Sequence, residues 1–283
     1  MLVTSKELLL DAQKNGYAVG AFNTNNLEIT QAIIQAAEVK KAPVLVQISA
    51  GALKYAGADY LPMLVAKFAQ MASVPVAIHL DHGPSFEVVM QCLRTGFTSI
   101  MRDASKLPYE ENVAEVRKVV EVCHAVGVPV EAEIGKIGGA EEHVVVSERE
   151  ALMSDPDECA RFAEDGGFDF LAVAIGNAHG FYKGDPKLDF KRLEAIRDRV
   201  SIPLVLHGAS GIPDAQITMA VERGICKINI DTEIRNALVR SIQKYVAENP
   251  DQIDPRKVFG PGIKAMQAVV EQKIEIFKSA GRG

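Results

Sequence analysis

Short apolar runs alternate with longer amphipathic stretches along the whole chain, and this alternation limits the possible folds more than any other feature. Strands that alternate with helices form parallel sheets, and eight strand–helix units in roughly 250 residues are typical of an α/β fold of the (β/α)8 TIM barrel type. Apolar, β-branched runs predict eight strands: Tyr17–Phe22, Val44–Ile48, Val74–Leu80, Ser99–Arg102, Val128–Ile134, Phe170–Ile175, Leu204–Leu206 and Ile225–Ile230.

The stretches between these runs have the period of amphipathic helices. The clearest of them are Leu27–Lys40, Asp59–Ala72, Phe86–Arg94, Glu110–Ala125 and Asp157–Asp165. An added C-terminal helix is predicted over residues 261–280. A doubly wound open sheet is the alternative fold, but Ala18–Asn23 contains no GxGxxG turn. Since no linker or change of composition interrupts the chain, we expect a single domain over residues 1–283.

One segment departs from the alternation. Gly135–Ser154 shows no clear element and contains a glycine pair followed by Glu141, Glu142 and His143. Long segments of this kind in compact domains are often functional lids. Carboxylates beside a glycine hinge favour a mobile lid here.

The composition excludes several classes of protein. The net charge is −6 and no long basic run is present, so nucleic acid is not an expected partner. The cysteines are scattered without a CxxC pair, which argues against a disulfide framework and against a thiolate zinc site. The first residues lack the order of a signal peptide, and no apolar run approaches the ~18 residues of a membrane span. We therefore expect a soluble, cytoplasmic protein without membrane contact.

Polar residues stand where the predicted strands end. The third run, Val74–Gly83, finishes with Asp81 and His82, whose side chains would alternate between opposite faces of a regular strand. We expect the strand to stop there and the backbone to turn at Gly83–Pro84. In a (β/α)8 barrel the active site lies at the C-terminal ends of the strands. Each residue alone is explained as a helix cap, but the set favours an active site: Asn23, Ser49, Asp81, His82, Asp103, Glu133, Asn177, His179, His207, Asn229 and Asp231.

Three of the six histidines follow strands of the predicted barrel. His82, His179 and His207 come after the third, sixth and seventh strands. Three imidazoles that meet at one rim bind a divalent metal and leave a coordination position open, as catalytic zinc requires. We expect His79, inside the third strand, to be a buried supporting residue and His124 to be solvated, and we expect the same of His143.

Two segments are suited to bind phosphate because small residues there precede helix N-termini. One is His207–Gly211 after the seventh strand, and the other is Asn229–Thr232 after the eighth. Asp231 does not suit an anion, so we expect it to face a substrate hydroxyl. Arg235, about one helical turn further on, is a candidate for a second phosphate, and Lys183 is a further candidate cation.

Five motifs at these positions carry a family resemblance. They are VAIHLDHG at Val76–Gly83, VEAEIGKIGGAE at Val130–Glu141, AIGNAHG at Ala174–Gly180, LHGASG at Leu206–Gly211 and KINIDT at Lys227–Thr232. Together they resemble the class II, metal-dependent fructose-bisphosphate aldolases, in the branch shared with tagatose-bisphosphate aldolases. The resemblance covers essentially the whole chain.

The resemblance implies a lyase and gives roles to particular residues. It implies that His82, His179 and His207 hold the catalytic zinc. Asp81 is then the acid/base for the aldehyde half of the substrate, and Glu141 handles the C3 proton of dihydroxyacetone phosphate. The predicted substrate-binding residues are Asn23, Ser49, Gly180, Lys183, Gly208, Ala209, Ser210, Asn229, Ile230, Asp231, Thr232 and Arg235.

Further expectations come from the same resemblance. Asp103 and Glu133 match positions that bind a second divalent ion in some members, and a monovalent cation is a further possible cofactor. Two positions depart from the family pattern: Asn177, where threonine or serine is common, and Arg102, where an aliphatic residue is common. We expect Arg102 to pair with Asp103 and to discourage a second metal. The expected assembly is a homodimer or homotetramer.

The substrate has several alternatives. In the family that this sequence resembles, an aspartate at the position of Asp231 accompanies the use of fructose 1,6-bisphosphate, whereas tagatose enzymes often have alanine there. The resemblance therefore implies that Asp231 and Arg235 favour fructose 1,6-bisphosphate over tagatose 1,6-bisphosphate. A third alternative is a phosphorylated deoxy-ketogluconate of inositol catabolism. A Schiff-base aldolase with Lys227 as the nucleophile is the alternative mechanism. A phosphosugar-binding barrel without turnover would lack an acid/base group, whereas this sequence has both Asp81 and Glu141.

Overall fold

The computed structural model describes residues 1–135, 138–141, 144–146, 153–180, 182 and 186–283, and of 138–141 and 144–146 it describes the backbone only. The strands in this part of the chain are β1 (Val19–Asn23), β2 (Val44–Ser49), β3 (Val76–Gly83), β4 (Ser99–Arg102), β5 (Val130–Ile134), β6 (Gly138–Glu141), β7 (Val144–Val146), β8 (Phe170–Val173), β9 (Ala178–His179), β10 (Leu204–Leu206) and β11 (Ile225–Ile230).

Eight of the described strands close a parallel barrel in the order β1-β11-β10-β8-β5-β4-β3-β2. The sequence prediction of a (β/α)8 barrel is therefore confirmed. Each predicted strand corresponds to one strand of the barrel, and the bounds of β4, β10 and β11 agree to the residue. The ends of the other five shift by one or two residues, except that β3 runs three residues further, to Gly83.

The described helices surround the barrel: α1 (Ser5–Asn15), α2 (Leu27–Lys40), α3 (Ala50–Ala56), α4 (Tyr60–Met71), α5 (Phe86–Arg94), α6 (Tyr109–Ala125), α7 (Pro156–Gly166), α8 (Phe190–Arg197), α9 (Asp214–Glu222), α10 (Thr232–Glu248) and α11 (Pro255–Ile276). Polar side chains fix several starts by accepting backbone N–H groups. Asn26 caps α2, Ser85 caps α5 and Asp155 caps α7. None of the helices in the described residues has both the length and the apolar character of a membrane span.

Helix α1, which the sequence pattern did not predict, packs at the N-terminal end of the barrel. Its Leu9 and Ala12 are fully buried in one apolar cluster with barrel residues such as Leu45 and Phe170. The Ser5 hydroxyl lies 2.6 Å from the Ser99 hydroxyl of β4. The lower part of the barrel is therefore a packed apolar core, and ligands must enter from the opposite end.

A polar layer replaces this apolar core further up the barrel. Gln47, His79, Glu131 and Lys227 have no solvent exposure and come from β2, β3, β5 and β11. The register pairs Gln47 with His79 across β2 and β3. Glu131 lies 2.9 Å from Lys227 of β11 and 3.7 Å from His79 of β3, and Gln47 donates to Asn23 of β1. These contacts join the strands directly beneath their C-terminal ends.

A β-bulge near the end of β3 gives Asp81 and His82 their directions. Leu80 is paired with Ile100 and Gly83 with Arg102, so β3 uses one residue more than β4 between the two pairs. His82 has φ +47°, an uncommon value for a residue other than glycine. A Cβ at Gly83 would lie 2.3 Å from the Met101 carbonyl oxygen, so glycine is required there. The strand ends at Gly83, where the sequence predicted a turn of the chain, but the bulge that redirects the two side chains within the strand was not predicted.

The predicted lid contains regular structure. Strands β6 and β7 form an antiparallel pair, and β6 also pairs in parallel with β9. Gly138 and Gly139 stand opposite Ala178 and His179 in that ladder. The expectation of a segment without elements was therefore wrong for residues 138–141 and 144–146. Glu142 and His143 lie outside the described residues.

The added C-terminal helix is present as α11, but it begins earlier than predicted. The Asp254 side chain accepts the Arg256 N–H, and Pro255 occupies the first helical position. This cap and proline favour a start at residue 255, six residues before the predicted start at Pro261. The following Phe277 is fully buried and stacks on Phe22 of β1.

Candidate active site

A cavity of about 280 Å³ opens at the C-terminal end of the barrel. The loops after β1 to β4 and β11 form its wall, as the strand-end pattern of the sequence predicted. Among the predicted site residues that line it are Asn23, Ser49, Asp81, His82, Asp103, Asp231 and Arg235.

Three histidines converge beside this cavity. The nearest ring nitrogens of His82, His179 and His207 lie within 4.8 Å of one another. Nε2 of His82 is 2.9 Å from Nδ1 of His207. His82 lies in the bulge of β3, His179 in the short strand β9 and His207 directly after β10. The barrel therefore brings together residues that are far apart in sequence. Imidazoles at this spacing can share one divalent ion.

The far nitrogens of two rings are held by carboxylates. Nδ1 of His82 lies 2.8 Å from Asp103 Oδ2, and Nε2 of His207 lies 2.7 Å from Glu131 Oε1. Metal-binding histidines commonly bond a carboxylate through the second nitrogen, which fixes the tautomer and the direction of the ring. The donor set therefore fits a zinc ion.

Glu131 is itself held by a buried lysine. Nζ of Lys227 lies 2.9 Å and 3.2 Å from the two carboxylate oxygens of Glu131 and donates to Asn229 Oδ1 at 2.8 Å. Nε2 of His79 is 3.7 Å from Glu131, and its Nδ1 is 2.7 Å from the Ser99 hydroxyl. His79 is thus the buried, hydrogen-bonded residue that the sequence predicted. A Schiff-base nucleophile must be a neutral amine open to substrate, whereas Lys227 is fully buried in an ion pair.

Asp81 lies against this centre and is oriented by two amides. Nδ2 of Asn23 donates to Asp81 Oδ2 at 2.7 Å, and Nδ2 of Asn229 donates to Asp81 Oδ1 at 3.2 Å. The same Asn229 nitrogen lies 3.3 Å from Nδ1 of His207, so it bridges the carboxylate and the tripod. Burial opposes the ionisation of Asp81, but the charges of His82, His207 and Lys227 and the Asn23 bond together lower its pKa.

A second group of possible ligands shares His82. Atoms of His82, Asp103 and Glu133 lie within 4.8 Å of one another. Burial and the nearby Asp103 charge raise the pKa of Glu133 well above its usual value. The predicted pairing of Arg102 with the Asp103 carboxylate was wrong. Its guanidinium instead donates to the carbonyl oxygens of Gly83, Pro84 and Asp103 and pairs with Glu115 at 3.0 Å.

The two predicted phosphate segments lie side by side. The Asp231 N–H donates to the Ser210 hydroxyl at 3.4 Å, which joins the loop after β10 to the start of α10. Gly208 has φ +60°, and a Cβ there would lie 2.3 Å from the Ala178 carbonyl oxygen. This close contact brings the segment after β10 against the one that carries His179. Asp231 forms an ion pair with Arg235 at 2.7 Å.

Comparisons with known proteins identify the family. Residues 3–282 match the family described as fructose-bisphosphate aldolase class-II. The chain is 48% identical to the fructose-bisphosphate aldolase of Thermus caldophilus over 305 aligned positions, which cover 100% of both chains. It is also 48% identical to that of Geobacillus stearothermophilus, over 99% of this chain and 98% of the relative. This chain belongs to the class II fructose-bisphosphate aldolase family.

A solved structure agrees with this assignment. The YdjI aldolase from Escherichia coli K12 has a TM-score of 0.88 to this chain at 39% identity, over 100% of this chain and 99% of that one. The chain is therefore a lyase with the barrel of its family. Class II aldolases depend on zinc, and the histidine tripod is a place where this class II aldolase can bind a metal.

Some predicted residues lie where the structure gives less detail. Lys183 is outside the described residues. The backbone of Glu141 belongs to β6, but its side chain is not described. His124 is exposed, as expected, and its Nε2 also lies 2.8 Å from Asp169 Oδ2.

Glu131 and Tyr182 were not identified from the sequence, and Lys227 was considered only as a Schiff-base nucleophile. Glu131 and Lys227 each stand two positions before a polar residue already noticed, Glu133 and Asn229, so strand alternation could have placed them on the inner face. Tyr182 accepts the Ala178 N–H at 2.7 Å and donates to the Gly208 carbonyl oxygen at 2.8 Å. No pattern in the sequence indicates that contact.

Proposed function

We propose that this class II aldolase reversibly cleaves fructose 1,6-bisphosphate to dihydroxyacetone phosphate and glyceraldehyde 3-phosphate, with one zinc ion held by His82, His179 and His207. The observation that carries the proposal is the Asp81 carboxylate, bridged through one amide to the histidine tripod beside an open cavity. Zinc bound there supplies Lewis-acid polarisation of the substrate carbonyl. The following steps belong to residues of the chain.

Asp81 moves the proton at the C4 oxygen of the substrate. In cleavage its carboxylate accepts the C4 hydroxyl proton, and in synthesis it returns that proton to the new C4 oxygen. The Asn23 and Asn229 amides hold both carboxylate oxygens, so the side chain keeps one orientation. Gln47 donates to Asn23 Oδ1 at 2.9 Å and fixes that amide in turn.

Glu141 removes the C3 proton of dihydroxyacetone phosphate in the synthetic direction. The pairing of β6 with β9 supports this role, because Gly139 stands opposite His179. Glu141 follows two positions later, which is roughly 7 Å along a strand. The hairpin thus carries the backbone of Glu141 close to the strand that contains His179.

The phosphate of the dihydroxyacetone half binds between the loop after β10, the start of α10 and the segment after β9. Backbone N–H groups and hydroxyls at helix N-termini favour an anion there. Asp231 bonds a substrate hydroxyl, and Arg235 with Ser49 holds the second phosphate. Lys183 contributes a further cation. The residues of the first phosphate site are Gly180, Gly208, Ala209, Ser210, Asn229, Ile230 and Thr232.

Metal removal tests the function. The purified enzyme is assayed with fructose 1,6-bisphosphate before and after treatment with EDTA, and again after zinc is restored. We expect activity to fall to background and to return with zinc. Activity that survives complete metal removal, or inactivation by borohydride in the presence of substrate, contradicts the proposal and favours a Schiff base.

Substrate choice is tested in the same assay. Tagatose 1,6-bisphosphate differs from fructose 1,6-bisphosphate at C4, the carbon whose oxygen Asp81 serves. We expect a higher kcat/KM for the fructose isomer, because the ion pair between Asp231 and Arg235 fixes both side chains at the cavity. A higher kcat/KM for the tagatose isomer, or for a phosphorylated deoxy-ketogluconate, assigns the enzyme to that substrate instead.

The remaining features complete the proposal. A second divalent ion binds at Asp103 and Glu133, which is supported by the spacing of their carboxylate oxygens, and a monovalent cation assists. The whole chain, 1–283, acts as one domain in a homodimer or homotetramer. Buried, unpaired thiols and a net charge of −6 suit a cytoplasmic enzyme. Size-exclusion chromatography with light scattering measures the subunit number.

A further inference from the structure

A buried lysine of the C-terminal helix is connected to the proposed phosphate site. Lys273 belongs to α11, outside the repeating strand–helix units, and its side chain is 4% exposed. Its Nζ lies 2.9 Å from Glu233 Oε2 and 3.7 Å from Asp214 Oδ1. A buried ammonium requires such partners. The position of α11 therefore decides whether Glu233 has a counter-charge.

Glu233 holds the end of the phosphate loop with its other oxygen. The Gly211 N–H donates to Glu233 Oε1 at 2.8 Å. Gly211 follows Ser210 in the loop after β10, and Glu233 follows Thr232 in the first turn of α10. This carboxylate therefore lies at the junction of the two segments that are proposed to bind phosphate.

A carboxylate at this junction has two opposing effects on a bound phosphate. Its bond to Gly211 holds the loop in position, but its negative charge repels the phosphate. At an effective dielectric constant of about 40, repulsion between two unit charges about 8 Å apart weakens binding about fivefold. A neighbouring ammonium cancels most of that repulsion and leaves the hydrogen bond to Gly211 intact.

We infer that Lys273 is a positioning residue of the phosphate site: it neutralises Glu233, so that Glu233 can hold Gly211 without repelling the substrate phosphate. This inference rests on the proposed function for the location of the phosphate. It gives α11 a role in substrate binding, although the helix does not line the cavity wall described above.

Two single variants with opposite expected effects test the inference. Lys273→Met leaves the Glu233 charge uncompensated, so the Kd for inorganic phosphate rises about fivefold. Glu233→Gln keeps an acceptor for Gly211 and leaves the ammonium in excess, so the Kd falls about twofold. The double variant combines a neutral amide with a neutral side chain and returns to within about twofold of wild type. Isothermal titration calorimetry of the zinc-loaded enzyme measures each Kd.

Matched measurements separate this role from a structural one. Lys278→Met removes another lysine ion pair of the C-terminal segment, with Glu222 at 2.7 Å, and should leave the Kd unchanged. In steady-state assays Lys273→Met raises KM for the bisphosphate while kcat stays within about twofold, and added salt reduces the effect. Urea unfolding and zinc content check that each variant is folded.

Three results overturn the inference. One is a Kd for Lys273→Met equal to that of wild type, and another is a weaker Kd in both single variants, which indicates loosening of the loop. If Lys273→Met does not fold, Glu233→Gln alone tests the inference. The expected result is then a lower Kd for phosphate, and a higher Kd contradicts the inference. The third result that overturns the inference is a wild-type enzyme that shows no binding of inorganic phosphate. Since the readout is phosphate binding, failure to cleave any bisphosphate refutes the proposed function separately.

Discussion

Replacement of Glu131 by glutamine tests how the barrel interior holds the metal site. Glu131 is fully buried, receives two contacts from Lys227 Nζ and lies 2.7 Å from Nε2 of His207. The amide keeps the size of the side chain but removes its charge. Two effects follow, one on the free energy of unfolding and one on zinc affinity, and they have different causes.

The stability effect comes from Lys227. Removing one partner of a buried ion pair costs roughly 3–5 kcal/mol, because the other charge remains buried. An unfolding entropy of about 2.1 cal/mol/K per residue gives roughly 0.6 kcal/mol/K for a chain of 283 residues. The expected decrease in Tm is therefore about 5–8 °C. Differential scanning calorimetry at a fixed, saturating zinc concentration measures it, since bound zinc also raises Tm.

The affinity effect comes from His207. Loss of the carboxylate bonded to a metal-binding histidine weakens the metal typically by 10- to 100-fold, and competition with a chelator measures the Kd for zinc. Adding Lys227→Met to Glu131→Gln should restore Tm, because no buried charge is left, but should not restore zinc affinity. If Glu131→Gln keeps both the wild-type Tm and the wild-type zinc Kd, the assignment of Glu131 as the residue that holds His207 is wrong.

Three further predictions concern other parts of the molecule. Asp81→Asn should lower kcat by about 10²- to 10⁴-fold, as expected for loss of an acid/base group, while zinc content by atomic absorption stays at one ion per chain; normal turnover would contradict the mechanism. Asp169 accepts bonds from Lys6, His124 and the Val130 N–H, and although burial opposes its ionisation these bonds lower its pKa. Because the pKa is lowered in the folded state, the ionised Asp169 stabilises the fold above about pH 4, and this stabilisation is lost as the pH falls further. Asp169→Asn should therefore reduce the free energy of urea unfolding by about 1.5–3 kcal/mol at pH 7 and by progressively less below pH 4. A reduction that does not change with pH refutes this. Burial raises the pKa of all four cysteine thiols to about 12, so iodoacetamide at pH 8 should label them after unfolding and not before, as read by mass spectrometry; rapid labelling of the native enzyme would show that a thiol is open to solvent.

The barrel itself was readable from the sequence because its signal is repeated. Each apolar run is short and ambiguous alone, but eight of them in alternation leave few parallel folds. The strand-end residues followed from that fold, since parallel strands deliver their C-terminal residues to one rim. His82, His179 and His207 could be grouped for this reason although the first two are 97 positions apart, 179 − 82.

What the sequence did not predict depends on local geometry or on contacts between distant residues. The bulge at Asp81 and His82 requires one residue more in β3 than in β4, and neither strand shows this by itself. Arg102 was expected to bond the nearest carboxylate, but its guanidinium reaches the backbone carbonyls of two loops and Glu115 of α6. Such choices are decided by distances across the barrel end, which periodicity does not contain.

The polar layer beneath the tripod is best explained by function rather than by stability. Four fully buried polar side chains, Gln47, His79, Glu131 and Lys227, lie in a barrel interior that apolar residues could fill. Replacing a buried ion pair by well-packed apolar groups is often neutral or stabilising. The layer nevertheless holds Asn23, Asn229 and His207 through direct bonds, and these three set Asp81 and one edge of the metal site. The interior therefore gives up packing energy to fix the directions of the groups proposed to do the chemistry. Replacing Glu131 and Lys227 together by apolar residues should accordingly keep or raise Tm while lowering activity, whereas replacing either one alone should lower both.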